Sequence, residues 1–256
     1  MSAERRSALA AAVLVAALST AATVEALPAG RAAAAGPSVQ SMVVGSTGAI
    51  LSRRTVTASA TTVRVGQRSC AVAASTPLAV LAAVRRAGGP GFALHDYGRC
   101  GSATRNSGQL FVYSLGGETN GGQNGWEYKV DDVSGVTGAA DTSGARGDGR
   151  LLRSGERVLW FWCHAYAGGC ERTLDVAAST TTVSRGSSLT VSVTGHDNEG
   201  RGAPVAGAIV TLGSDFASTG ASGRTTLIAP STPGRYTVSA ARGGLVPSFP
   251  ETIVVR

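Results

Sequence analysis

The chain has 256 residues, 43% of them hydrophobic and only 15% charged, with 35 glycines and a formal net charge of +7. The positive charge is carried by arginines dispersed along the chain, with Lys129 the sole lysine. A nucleic-acid binder concentrates such charge on one face beside aromatic residues, so no nucleic-acid partner is expected and only weak attraction to acidic surfaces or polymers follows.

The N-terminus places Arg5 and Arg6 before an uncharged apolar run, Ala8 to Ala22, and a small-residue exit at Val24-Glu25-Ala26. That order reads as a secretory signal peptide over residues 1–26. The run is shorter than the ~20 residues that span a bilayer, so no stable membrane span is expected after cleavage. A secreted or cell-surface location follows. Residues 27–50, rich in Ala, Gly and Ser, are expected to form a flexible tether.

Ordered structure is expected from about Thr55. Thr55–Ala60 and Thr61–Val65 carry β-branched residues in alternation and predict two short strands. The period then changes: Ser75 as N-cap, Pro77 in the first turn, Leu78, Leu81 and Val84 on one face, and Gly88-Gly89 at the end predict a helix. Further strands are predicted at Phe92–Tyr97, Leu110–Leu115, Trp126–Val130 and Arg157–Cys163. The last, dense in Val158, Leu159, Trp160, Phe161 and Trp162, suits a strand covered on both faces. One helix among these strands predicts an α+β domain over residues 51–177. Beyond Ala178 the cysteines and tryptophans stop. Six segments there, Thr180–Ser184, Ser188–Thr194, Ala208–Gly213, Gly223–Ala229, Arg235–Ala241 and Glu251–Val255, alternate with turn-rich stretches and predict an all-β sandwich over residues 178–256.

Four cysteines, Cys70, Cys100, Cys163 and Cys170, would pair in an oxidising compartment. Of three possible connectivities, Cys70–Cys100 and Cys163–Cys170 are favoured because each joins neighbours in sequence. No metal site is expected: there is no C-x-x-C, and His95, His164 and His196 are scattered. Asp131, Asp132, Asp141 and Asp148 lack the spacing of an EF-hand. Arg146-Gly147-Asp148 spells an adhesion tripeptide that chance readily produces in a chain so rich in Arg and Gly.

From Ser75 to Cys163 the chain resembles the small C-terminal domain of the cobalamin carriers transcobalamin and intrinsic factor, which occurs alone in secreted bacterial proteins. The helix Pro77-Leu78-Ala79-Val80-Leu81, the strand Gly125-Trp126-Glu127-Tyr128-Lys129-Val130-Asp131-Asp132, and Leu152-Arg153-Ser154-Gly155-Glu156-Arg157-Val158-Leu159-Trp160 carry the likeness. The resemblance implies a small β-grasp-like fold with one main helix that presents a ligand surface. Ala206–Leu212, Ala221–Thr225 and Pro233–Ala240 resemble bacterial Ig-like and carboxypeptidase-regulatory sandwiches, which serve as spacers or adhesion modules.

The aromatic group Trp126, Tyr128, Trp160 and Trp162 could stack on a flat ligand, and burial in the core is the competing reading. The candidate ligand surface is therefore Trp126 and Tyr128, with Asp131 and Asp132 at the start of the loop that follows. No catalytic residue is assigned: G-x-S-x-G, H-E-x-x-H and P-loop motifs are missing, and bridged cysteines offer no thiolate. No cofactor is expected. The leading expectation is an exported, non-enzymatic binding or surface module for an unknown small molecule or cell-surface partner. The alternatives are a structural envelope protein and an unrecognised enzyme acting on wall polymers.

Overall fold

A computed structural model describes residues 36–165 and 169–256. The expected signal peptide and residues 27–35 of the expected tether lie outside them, as do residues 166–168 of the loop between Cys163 and Cys170. The first part of the fold runs β1 (Ser38–Gly45), β2 (Gly48–Thr57), β3 (Thr61–Val65), β4 (Arg68–Val72), α1 (Pro77–Arg86), β5 (Phe92–Asp96), β6 (Leu110–Leu115), β7 (Glu118–Thr119), β8 (Gly125–Val130), β9 (Val133–Ser134) and β10 (Arg157–Cys163). The second runs β11 (Thr173–Ala178), β12 (Thr182–Val183), β13 (Ser188–His196), β14 (Gly202–Pro204), β15 (Ile209–Leu212), β16 (Asp215–Ser218), β17 (Arg224–Ile228), β18 (Gly234–Ala241) and β19 (Glu251–Val255).

The central sheet has the order β2-β1-β10-β8-β9, with β1 parallel to β10 and the other pairs antiparallel. A β3-β4 ribbon and a β5-β6-β7 sheet flank it. Two further sheets, β11-β13-β14 with β17 also on β13, and β12-β19-β18-β15-β16, pack around Val176, Val191, Val210, Leu212, Leu227, Val238 and Ile253. This is a β-sandwich arrangement in which inward residues alternate with more exposed ones, as the buried Leu189, Val191 and Val193 along β13 illustrate.

Among the described residues, strands account for 49% and helix for 6%. The expected α+β class, with a β-grasp-like first domain, is therefore corrected: the chain is mostly β and sandwich-like, with several sheets. The physical reason is the layering of the central sheet. The ten-residue helix helps cover one face. The other face is covered by residues of the second part: Met42, Val44, Leu159, Phe161 and Cys163 form a buried cluster with Val246 and Phe249. The loop between β18 and β19 packs on this face where an α+β fold would put helices.

The helix is placed as its signals dictate, one residue later at its start. Thr76, not Ser75, is the N-cap, its hydroxyl accepting from the Ala79 amide at 3.4 Å, and Pro77 occupies the first turn. Gly88 ends it at φ 83°, a left-handed conformation suited to glycine, and the Gly89 amide donates to Val84 O at 2.9 Å. The expected tether is replaced from Ser38 onward by β1, which sits inside the central sheet. Val39 and Val43 enter the core under α1, while Met42 and Val44 enter the cluster shared with the sandwich. A two-sided strand needs only a short apolar run, here Met42-Val43-Val44, and small neighbours disguise it.

Both favoured disulfides are formed, Cys70–Cys100 with Cα atoms 5.2 Å apart and Cys163–Cys170 at 5.1 Å. β11 straddles residue 177 and pairs along its whole length with β13.

Candidate functional site

β8 and β10 pair antiparallel, setting Trp126 opposite Trp162 and Tyr128 opposite Trp160. Alternation sends these four rings to one face and Glu127, Lys129, Leu159 and Phe161 to the other. On the first face the rings lock in pairs: Trp126 and Trp162 meet edge to face with centroids 5.7 Å apart, and Tyr128 and Trp160 tilt at 5.3 Å. Trp126 is 3% exposed and Tyr128 5%, and both belong to the core under α1.

Beside them lies a cavity of about 300 Å³, walled by Leu110 and Val112 of β6, by Trp126, Tyr128 and Trp160, and by residues 135–139. That volume is at the lower bound of small-molecule sites. Two apolar side chains stand at its edge in contact with solvent, Val136 at 76% exposure and Phe111 at 38%. Two glycines let the 135–139 segment lie close. A Cβ on Gly135 would sit 2.0 Å from Tyr128 Cζ, and one on Gly138 would sit 1.9 Å from Gly108 O. The Tyr128 hydroxyl donates to Thr137 O at 2.9 Å, and burial pushes its pKa up to about 12. Burial also raises the Glu127 carboxyl above its ordinary value. The two indole donors differ. Trp126 Nε1 donates to Glu118 O at 3.0 Å, whereas the buried Trp160 Nε1 has no partner among the described residues.

Asp131 and Asp132 do not join this cavity. They occupy the β8–β9 turn at the far end of β8, where Asp131 takes a left-handed φ of 53° and its Oδ1 accepts from the Arg157 amide at 3.0 Å. Asp132 Oδ1 lies 3.4 Å from Arg157 Nη2, and Arg157 Nη1 lies 2.6 Å from Asp175. The same guanidinium stands 5.6 Å from the centre of the Phe249 ring. The structure thus separates the four expected site residues into an aromatic pair at a cavity and an acidic pair engaged with Arg157.

The opposite face carries a feature that motif reading passed over. Lys129 is fully buried, and its ammonium donates to Thr173 Oγ1 at 3.0 Å, His196 O at 3.1 Å and Asp197 O at 2.7 Å. Burial lowers its pKa to about 8, against the opposing pull of Asp132, Asp197 and Glu199. The signal available in sequence was its singularity: an otherwise all-arginine basic set keeps one lysine, the side chain that fits three oxygens around a compact point charge. Among the described residues no three His, Cys, Asp or Glu side chains group as a metal site, and no helix is long and apolar enough to cross a membrane.

No family model and no curated protein matches the chain. Among solved structures, it is similar to the D00-D0 domain of Intimin at 17% identity and a TM-score of 0.25, covering 58% of this chain and 90% of that one.

Proposed function

We propose that the chain is an exported, non-enzymatic binding or surface module whose first core offers the Trp126–Tyr128–Trp160 cavity to a small, flat, largely apolar ligand, with the Ig-like sandwich as its support. The observation that carries this reading is the cavity itself: preformed, aromatic on one wall and edged by the solvent-exposed Val136 and Phe111. Exposed apolar side chains at the mouth of a hollow mark a binding site more often than scattered surface hydrophobes do. Two disulfides accord with an extracellular or surface location. The resemblance of residues 75–163 to the ligand-presenting domain of the cobalamin carriers supports the same reading. Asp131 and Asp132 serve in it as the brace of the β8–β9 turn.

Because two of the three tryptophans wall the cavity and the third packs on Trp126, tryptophan emission reports occupancy directly. A neutral aromatic probe such as N-phenyl-1-naphthylamine is expected to show saturable energy transfer from tryptophan. Val136→Asp, which places a charge at the solvent-exposed edge, should weaken that binding by about tenfold or more, because losing an apolar side chain and desolvating a carboxylate together exceed ~1.4 kcal/mol. Absence of saturable transfer, or unchanged affinity in a natively folded Val136→Asp chain, would leave a purely structural envelope role as the better account.

A further inference from the structure

A second hollow, of about 410 Å³, shares no lining residue with the aromatic cavity. Its walls are Thr61, Thr62 and Arg64 of β3, Arg85 and Arg86 in the last turn of α1, and Phe92 at the start of β5, with no acidic side chain among its lining residues. Four arginines are matched by carboxylates within the fold: Arg68 by Asp96, Arg150 by Glu156, Arg157 by Asp132 and Asp175, Arg201 by Asp197 and Glu199. Arg64, Arg85 and Arg86 lie within ion-pair distance of no carboxylate among the described residues. Arg86 donates only to neutral hydroxyls, Thr61 Oγ1 at 3.1 Å and Ser59 Oγ at 3.2 Å, and Arg85 to Gly89 O at 3.3 Å.

Cations in a last turn stabilise a helix through its dipole, which accounts for Arg85 and Arg86 singly. It does not account for Arg64, which comes from a separate strand and lines the same concavity. Arg54, beside this cluster, already caps the helix end by donating to Ala87 O. Three like charges around one hollow repel one another, and no carboxylate among the described residues lies within ion-pair distance of them.

The geometry points to an anion-binding site here, and we infer that its occupant is an acidic polysaccharide. Guanidinium forks take carboxylate and sulfate groups in pairs of parallel hydrogen bonds. The Thr61 and Thr62 hydroxyls match sugar hydroxyls, and Phe92 supplies a single half-buried ring. A lone ring of that kind is a poor platform for successive nucleobases, which distinguishes this site from a single-strand nucleic-acid groove.

Binding of the full mature chain to a heparin hexasaccharide probes the site. The triple variant Arg64→Gln/Arg85→Gln/Arg86→Gln should raise Kd by about tenfold or more, as loss of several charge-assisted bonds implies. A control removing equal charge from the sandwich, Arg185→Gln/Arg224→Gln/Arg235→Gln, should bind within about twofold of the native chain. Arg64→Gln alone, at an exposed position that caps nothing, should weaken binding measurably and decides the matter if the triple variant does not fold. Unchanged affinity in natively folded Arg64→Gln and triple chains would overturn the site. An equal loss in the sandwich control would reduce it to net charge. A single-stranded oligonucleotide that displaces the hexasaccharide at equal or lower concentration would overturn the polysaccharide assignment.

Discussion

The two faces of β8 make opposite use of one strand. On one, Trp126 and Tyr128 pack with Trp160 and Trp162 beneath a lightly covered wall and leave about 300 Å³ unfilled. On the other, Lys129 and, across the pair, Leu159 and Phe161 are sealed against the sandwich with no exposed atoms of consequence. The first face borders a hollow beside its buried rings, while the second joins two cores through one small apolar cluster and one ammonium. Both faces are therefore covered in part by loops, residues 135–139 on the first and the β18–β19 loop with Val246 and Phe249 on the second, and they differ in how completely the side chains next to β8 fill the space.

The largest effect expected from breaking the sealed face is Phe161→Ala. Phe161 is fully buried among Met42, Val44, Val246 and Phe249. Removing it should cost about 4 kcal/mol, as for other large-to-small changes at filled sites. Urea unfolding followed by tryptophan emission should show the loss, and it should also uncouple the sandwich. Circular dichroism at the sandwich's transition would then no longer coincide with the tryptophan signal, whereas the native chain should give one transition by both probes. Coincident transitions in Phe161→Ala would mean that the small cluster is not what couples the two cores.

Much of this arrangement is legible in the sequence, and what is not has identifiable causes. β6 and β10 occur at their predicted bounds because each combines alternation or density with clear turn residues on both sides. The density of β10 correctly implied two covered faces, but nothing local says that the second cover is Val246 and Phe249, about ninety residues away in sequence. β1 was hidden by its small-residue neighbours, and β7, β9, β14 and β16 are too short to show a period. At the site, alternation puts Trp160 and Trp162 on one face, but their pairing with Trp126 and Tyr128 needs the β8–β10 register. The separation of Asp131 and Asp132 from it depends on the left-handed turn at Asp131 and on Arg157, a partner visible only once β8 and β10 are paired.

The two faces should also titrate with opposite sign. Lys129 has a folded pKa of about 8, below its unfolded value of 10.5. Between those values the unfolded chain binds the extra proton, so stability rises with pH through this window as the burial penalty is relieved. The full swing is bounded by roughly 3 kcal/mol, since each tenfold change in proton affinity is worth about 1.4 kcal/mol. Lys129→Met should abolish that rising limb. It should also lower stability near neutral pH by about 1–3 kcal/mol, because Thr173 Oγ1 and the carbonyls of His196 and Asp197 lose their donor. Urea midpoints of the two chains across pH 7 to 10 test this, and parallel curves would show that the ammonium is not under strain.

Tyr128 produces the smaller, opposing effect on the open face. Its folded pKa of about 12 lies above the ordinary value of 10.0, so its contribution is complete below pH 10 and is lost as pH climbs toward 12. Together the two groups place a stability maximum near pH 10, rising through Lys129 and falling through Tyr128. Tyr128→Phe keeps the ring against Trp160 and removes only the hydroxyl that donates to Thr137 O. It should cost about 1 kcal/mol at pH 7, remove its own share of the falling limb and leave the rising limb untouched. If the cavity face is as loosely covered as its geometry indicates, this variant should also loosen the 135–139 segment. Faster amide exchange at Val136 and Gly138 would then appear with little change at Leu159 or Phe161. Equal acceleration on both faces would mean that the loop and the sheet–sandwich contact open as one unit, and that the cavity is as tightly held as the sealed side.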